Sequence, residues 1–478
     1  MKPHISVALC TSLAIVSCGQ KEKDKPLPNI VFILADDLGY GDLSCYGQQK
    51  FSTPNIDRLA QQGMLFRQHY AGCTVSAPSR SCLMTGLHTG HTPIRGNKGW
   101  DPEGQWPLPA KSYTVAEMLK AKGYITGAYG KWGLGYIDTE GDPNSQGFDE
   151  FYGYNCQSLA HNYYPDHLWH NHEKILIHEN DSSKTGAYSA DLIHKEALEF
   201  IEQNRDKRFF LFYPTTIPHA ELFAKDEYMG KFRGKFEPEK SFKGTDEGPG
   251  FRLGPYGSQP EAHTAFAAMV TELDDYVGDI ISKLAELGLE KNTIIIFTSD
   301  NGPHLEGGAD PDYFNSNGPL RGYKRDLYEG GIRTPMIVTW PGKVRAGSVS
   351  DHVSAFWDVM PTLAEITGSQ APEGIDGISF LSELLGKKQK KHDYLYWEFH
   401  EQGGKIAARM GDWKAVKPDI DKVPQGLTEL YDLSADEGET TDLAASNPEI
   451  VKKMEELMKQ AHTPSEVFPF AFESSNNN

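Results

Sequence analysis

Four apolar runs each break off at charged or polar residues, and this constrains the chain more than any other feature. Asn29 to Asp37 reads NIVFILADD, Tyr124 to Gly135 YITGAYGKWGLG, Arg208 to Ala220 RFFLFYPTTIPHA and Thr293 to Gly302 TIIIFTSDNG. Short apolar runs bounded by turn residues and separated by helical patterns predict buried strands of a largely parallel sheet with helices on both faces. Ligands of open α/β sheets bind outside the carboxyl ends of the strands. Asp36, Asp37, Lys131, His219, Asp300 and Asn301 are therefore expected to converge on one edge.

The helices between these runs carry their own signals. TPNIDRLAQQG has Thr53 as N-cap, Pro54 in the first turn and Gly63 as stop. TVAEMLKAKG starts at Thr114, and HTAFAAMVTELDDYVGDIISKLAELG is long and amphipathic. RTPMIVTWPG adds a strand and AFWDVMPTLAEITG a helix. The charged linker LLGKKQKKHDY then separates a catalytic domain, 29–385, from a smaller unit, 392–466. In that unit YLYWEFHE, KIAARMGDWKAVKP and TELYDLSADEGE predict an antiparallel sheet and NPEIVKKMEELMKQAH a helix. Residues 467–478, ending in ESSNNN, are expected to be a disordered tail.

MKPHISVALCTSLAIVSCG combines Lys2, an apolar run from Ile5 to Val16 and small residues before Cys18, the pattern of a signal peptide over 1–17. Its IVSC ending resembles a bacterial lipobox. That makes Cys18 the lipidation site, 18–28 a tether, and the protein an exported lipoprotein, periplasmic or on the cell surface, touching the membrane only through its anchor. A net charge of -19 argues against nucleic acid as a partner, and 38% hydrophobic residues exclude a polytopic membrane protein. Beyond the leader, Cys45, Cys73, Cys82 and Cys156 fit no metal or disulfide spacing, so their pairing stays open.

Asp36, Asp37, Asp300 and Asn301 offer hard oxygen donors without thiolates, which suits Ca²⁺ or Mg²⁺ over zinc. Three carboxylates meeting at one edge require a cation. In SAPSRSCLMTG, Ser76 to Gly86, Pro78 is pre-set for a first helical turn, so the stretch reads as loop and then helix with Ser76 on its lip. Free amides there attract anions, and Arg80 adds a fork of donors suited to sulfate or phosphate. On these residues alone Ser76 reads equally as a helix N-cap, because an unassisted serine hydroxyl is a poor nucleophile.

The same stretch resembles the sulfatase signature, Cys or Ser, any residue, Pro-Ser-Arg and then Thr-Gly, whose first residue is oxidised after translation to formylglycine. NIVFILADDLGYGDL, GKWGLG, GFDEFYGY, SDNGPH, PLRGYKRDLYEGGIRTP, GDWK and ELYDL extend the resemblance through nearly the whole mature chain. It implies an alkaline-phosphatase-like α/β fold, a mixed, mostly parallel sheet between helices followed by a C-terminal antiparallel sheet plus helix. It also implies a formylglycine derived from Ser76 by an anaerobic-type maturation enzyme. One hydroxyl of the hydrated aldehyde, held by Ca²⁺, would attack sulfur, and the other would expel sulfate by rebuilding the aldehyde. Matched by position, Asp36, Asp37, Asp300, Asn301 and modified Ser76 resemble the calcium ligands, and Arg80 holds the formylglycine side. Lys131 and Lys324 would neutralise the sulfate oxygens and His219 would protonate the departing sugar oxygen. One position departs: many sulfatases read Gly-Lys-Trp-His-Leu-Gly, and this chain has Gly133 where that histidine would contact the formylglycine. The role is vacant or falls to a group such as His161 or His304.

NCQSLAHNYYPDHLWHN is rich in aromatic and histidine residues that suit sugar faces, making His161, Tyr163, Trp169, His304, Arg325 and His400 the candidate substrate contacts. The resemblance to exo-acting carbohydrate sulfatases points to a sulfated oligosaccharide or polysaccharide, with 4-O-sulfated galactose or N-acetylgalactosamine as the expected residue. The alternatives are a phosphodiesterase or phosphonate monoester hydrolase of the same fold, or a glycan-binding lipoprotein without turnover.

Overall fold

The computed structural model describes residues 27–422 and 426–474, so the leader, Cys18 and the tether up to residue 26 lie outside the described residues. The main sheet has eleven strands. In chain order they are β1 (Asn29–Ala35), β2 (Met64–Tyr70), β3 (Ile125–Lys131), β4 (Glu150–Tyr154), β5 (His167–His170), β6 (Glu173–Leu176), β7 (Phe209–Pro214), β8 (Thr293–Ser299), β9 (Arg333–Thr339), β10 (Ser348–Ser350) and β11 (Ser354–Ala355). Across the sheet the order is β10-β2-β9-β8-β1-β7-β3-β4-β5-β6, with β11 also beside β2. The central strands β8, β1, β7, β3 and β4 run parallel, and antiparallel pairs flank them.

Both faces of β1 are covered, as its unbroken apolar run requires. Ile30, Phe32 and Leu34 enter one hydrophobic cluster and Val31, Ile33 and Ala35 the other. Alternate side chains of a strand point to opposite faces, so one run of residues anchors two cores. Truncating Ile33, fully buried, to alanine would cost about 2–5 kcal/mol.

Helices α1 (Pro54–Gln62), α2 (Ser76–Thr85), α3 (Val115–Ala121), α4 (Ser189–Gln203), α5 (Ala262–Glu286) and α6 (Val359–Thr367) cover the sheet. Thr114 caps α3 in a reciprocal box with Glu117. Thr53 precedes α1 without capping it; its hydroxyl instead bonds Asp57 at 3.2 Å. No helix among the described residues is long and apolar enough to cross a membrane.

The C-terminal unit is a four-stranded antiparallel sheet, β12 (Leu395–Phe399), β13 (Lys405–Met410), β14 (Trp413–Lys417) and β15 (Glu429–Asp432), followed by α7 (Pro448–Ala461). Trp397, Phe399 and Val416 pack with Tyr70, Cys73, Cys82 and Trp357 of the main body, and the opposite face packs on Met454 and Met458 of α7. The segment expected as a disordered tail is ordered up to residue 474. Phe468 and Phe470 are buried, Phe470 stacks on His400 with centroids 3.9 Å apart, and Ala471–Ser474 is a short helix. Two phenylalanines with a core to enter outweigh the polar end. Cys45, Cys73, Cys82 and Cys156 are unpaired.

Candidate active site

Strand register brings the acidic residues together. Ala35 of β1 pairs with Ser299 of β8, so Asp36 and Asp300 leave neighbouring strand ends in step. Backbone bonds lock them there: the Asp300 amide donates to Ala35 O at 3.1 Å and the Asp36 amide to Ile217 O at 3.2 Å. Asp37 sits at φ 63, a left-handed conformation that aspartate tolerates better than most residues, and its amide donates to Asp300 Oδ1 at 3.1 Å. Asn301 Nδ2 donates to Asp37 Oδ1 at 2.6 Å.

Ser76 opens α2 rather than capping it. The N-cap is Val75, and the Ala77 amide is capped from outside the helix by Asn97 Oδ1 at 3.0 Å. The Ser76 hydroxyl is thereby left free of the helix. It lies 3.3 Å from Asp36 Oδ1 and 3.3 Å from Lys131 Nζ, in a cup where it is 1% exposed.

Three cations face the three carboxylates. Arg80 reaches Asp300 Oδ2 through Nη2 at 2.9 Å and Nε at 3.2 Å, and also bonds the Lys131 carbonyl. Lys131 Nζ is 2.5 Å from Asp36 Oδ2, and Lys324 Nζ is 2.7 Å from Asp37 Oδ2. Burial outweighs the Asp36 carboxylate and leaves Lys131 below the ordinary lysine value. At Lys324 burial acts in the same direction, but Asp37 and Glu306 overcome it and raise the amine.

His219 completes the wall. Its Nδ1 donates to the Ala220 carbonyl, so in the neutral ring Nε2 carries the lone pair, 3.1 Å from Lys324 Nζ and 3.3 Å from Asp37 Oδ2. Burial, then Lys324 and Lys131, hold its pKa well below the usual histidine value. His161 and His304 stack on its two sides, with centroids 4.9 and 5.4 Å away. His161 is pushed down to about 3 by burial, whereas Glu306 and Asp37 overcome burial at His304 and raise it. Arg325, at φ 78, bonds Glu306 beside them.

The remaining expected contacts lie elsewhere. Tyr163 is 1% exposed and turns its hydroxyl to the carbonyls of Thr216 (2.6 Å) and His219 (2.9 Å), so it supports the His219 loop from behind. Trp169 donates to Glu103 Oε1 at 2.7 Å and packs on Tyr136, and His400 is held by Glu398 and Phe470. Each ring is thus held by partners outside the cup, those of Trp169 part-buried and those of His400 fully buried.

A sulfatase family model matches residues 28–369, and a model described as N-sulphoglucosamine sulphohydrolase, C-terminal, matches 322–464. The chain belongs to the sulfatase family. It is 30% identical to N-acetylgalactosamine-6-O-sulfatase of Bacteroides thetaiotaomicron, over 94% of this chain and 97% of that protein. It is 32% identical to human arylsulfatase A, over 90% and 87%. A solved structure of Ps i-CgsB in complex with k-i-k-neocarrahexaose superposes with a TM-score of 0.77 at 29% identity, covering 94% of this chain and 97% of that one. The protein is thus a sulfuric ester hydrolase of alkaline-phosphatase-like fold.

Sulfatases use a formylglycine and a divalent metal, and the cup fits such an ion. Asn301 Oδ1 is buried without a hydrogen-bond partner and Asp36 Oδ2 meets only the Lys131 ammonium; Asp36 and Asp37 offer hard oxygens within 4.8 Å of each other and of one ring nitrogen, that of His219. Asp36, Asp37, Asp300, Asn301 and residue 76 are the side chains that would hold it.

The departure at Gly133 has a structural counterpart that sequence reasoning missed. Gly133 has φ 75, and a Cβ built there would lie 2.2 Å from Gln157 Nε2. That nitrogen is buried without a partner. The Gln157 carboxamide stands where a side chain at 133 would begin, while His161 and His304 stack against His219. Only the adjacency of GKWGLG and the GFDEFYGYNCQ strand end could have signalled it.

Proposed function

We propose that this sulfatase releases sulfate from galactose or N-acetylgalactosamine in a sulfated glycan, using a formylglycine made from Ser76. The observation that carries this reading is the hydroxyl of residue 76 seated between Asp36 and Lys131 in a buried cup of three carboxylates and three cations. A divalent ion such as Ca²⁺ in that cup would acidify an attacking hydroxyl and leave the site net positive for a sulfate ester. Oxidation of residue 76 by its maturation enzyme gives an aldehyde, and addition of water to it gives the geminal diol that an unmodified serine lacks.

The chain's own groups then have separate tasks. Arg80, fixed on Asp300, orients residue 76. Lys131 and Lys324 sit where charge grows on the sulfate oxygens, and such preorganised donors contribute most in a dry site. His219 Nε2 is the atom from which the departing sugar oxygen takes its proton, once the negative substrate offsets the two lysines. His161 and His304, stacked on His219, and Arg325, bonded to Glu306 beside them, are the groups assigned to meet the sugar.

Two sulfate positions are in play. The sequence motifs favour 4-O, whereas relatives are named for 6-O release. The test is mass spectrometry of the peptide spanning residue 76, followed by sulfate release from a panel of monosulfated galactosides and N-acetylgalactosaminides. Release from 4-sulfated sugars supports the first position, and release confined to 6-sulfated sugars replaces it with the second. No release with residue 76 fully oxidised overturns the reading in favour of a glycan-binding protein, and faster turnover of an aryl phosphate than an aryl sulfate would favour a phosphodiesterase. We further propose export through 1–17 and lipid anchoring at Cys18, checked by loss of fatty-acid labelling in Cys18→Ala.

A further inference from the structure

Beside the cup stands an aromatic hairpin that none of these tasks uses. Gly99–Trp100 pairs antiparallel with Gly104–Gln105, and strands this short do not hold themselves in place. The active site holds them. At one end Asn97 Oδ1 accepts the Ala77 amide at 3.0 Å, next to Ser76, while the Asn97 amide donates to Glu401 Oε1 at 2.8 Å. At the other end the Gln105 amide donates to Gly135 O at 3.2 Å, and Gln105 Oε1 accepts the Gln157 amide at 3.1 Å.

What this frame presents is apolar surface facing water. Trp100 is 38% exposed, an uncommon state for the largest apolar side chain. Its ring stands edge-on to Trp106 at 77°, with centroids 5.2 Å apart, and Lys98 Nζ lies 3.9 Å from the Trp106 ring centroid. Of the two carboxylates in the turn, Glu103 is taken up by His167, Trp169 and Lys174, and Asp101 is exposed. Three residues of extended chain place Trp100 within about 10 Å of Asn97.

We propose that Trp100 and Trp106, with Lys98, form a subsite for the sugars that follow the sulfated terminal residue of an anionic oligosaccharide. The C–H face of a pyranose suits an indole ring, and the ammonium of Lys98 pairs with a sulfate or carboxylate on the neighbouring sugar. The inference rests on the sulfated-glycan reading given above, so its test is made on binding rather than turnover. In the Ser76→Ala protein, affinities for a sulfated galactosaminoglycan tetrasaccharide and for a monosulfated N-acetylgalactosamine are measured by calorimetry, with thermal unfolding as a folding check. Adding Trp100→Ala is expected to reduce the preference for the tetrasaccharide roughly five- to tenfold. Lys98→Ala should reduce it only when the second sugar is charged. An unchanged preference in both variants overturns the subsite. Trp100-dependent binding by a protein whose oxidised wild type releases no sulfate overturns the catalytic reading and leaves the subsite standing.

Discussion

The cup around Ser76 and the cluster around Glu398 are both buried knots of charge, and they are tied differently. Around Glu398 every carboxylate oxygen is occupied: Oε1 by the Tyr396 hydroxyl (2.8 Å) and His462 Nδ1 (2.6 Å), Oε2 by His400 Nε2 (2.7 Å) and Arg95 Nη1 (3.3 Å). In the cup Asp36 Oδ2 meets Lys131 without a hydrogen-bonding geometry, and Asn301 Oδ1 meets nothing. Leaving a buried polar group unsatisfied costs about 1–3 kcal/mol. The difference teaches that buried charge alone does not mark a site. The closed knot fastens the C-terminal unit to the catalytic body, whereas the open one keeps oxygens for a ligand.

The sharpest way to break this comparison is to disable each knot and see which property fails. Ser76→Ala should lower sulfate release on the order of 10⁴-fold or more, because the nucleophile is gone. Its stability should move by less than about 1 kcal/mol, since only two 3.3 Å contacts are lost. Glu398→Ala should do the reverse. It removes the one carboxylate shared by Arg95, His400 and His462, though Arg95 keeps Thr92 and Thr463 and His462 keeps Glu473, and breaking a buried ion pair destabilises by about 3–5 kcal/mol, read by denaturant unfolding, with turnover in the folded fraction retained. Early unfolding of the first variant, or lost turnover in the second, would exchange the two assignments.

Titration sharpens the same contrast. Burial would raise Glu398, but hydrogen bonds from His400 and His462 and the charge of Arg95 hold it at about 2. Its contribution, about 3 kcal/mol, is therefore present above the ordinary carboxylate value and is lost as pH falls toward 2. His462 is raised despite burial by Glu398 and Glu473, so its contribution is present below the ordinary histidine value and fades as pH rises through its folded value. Unfolding free energy should peak between about pH 4.5 and 6.5, and Glu398→Gln should flatten the acid limb. An unaltered acid limb in that variant would remove Glu398 as its origin.

How much of this could be read from the sequence differs between the two knots. The cup was legible because each member ends a buried strand or lies in a strong motif, and a parallel sheet sends strand ends to one edge. Asp36, Lys131, His219 and Asp300 needed only that rule. His400 stands next to last in YLYWEFHE, and nothing in that strand pattern shows that its ring turns inward; its partner Phe470 lies in a segment whose polar ending masks two core residues. Asn97 left no signal and Gln157 only the pairing of its strand end with GKWGLG, since each acts through a contact between separate segments.

Adding a divalent cation should also separate the knots. An ion held at one hundred times its Kd would stabilise the protein by about 2.7 kcal/mol, seen as a rise in Tm. Asp300→Asn should abolish that rise and Glu398→Gln should not.

The smallest effect tests whether Gln157 occupies the space of the absent histidine. A side chain at position 133 must accept a left-handed backbone and displace Gln157 Nε2, which a Cβ would approach to 2.2 Å. Gly133→His alone is expected to destabilise by about 1–3 kcal/mol. Gln157→Ala removes the obstruction and, with it, a buried donor whose loss should lower kcat about tenfold. In the double variant the steric part of the penalty disappears while the backbone part stays, so the cycle should show a favourable coupling of about 1 kcal/mol together with partial recovery of kcat. Equal penalties for Gly133→His with and without Gln157 would mean that the two side chains never compete for one space, and the cup would then work with that wall unfilled.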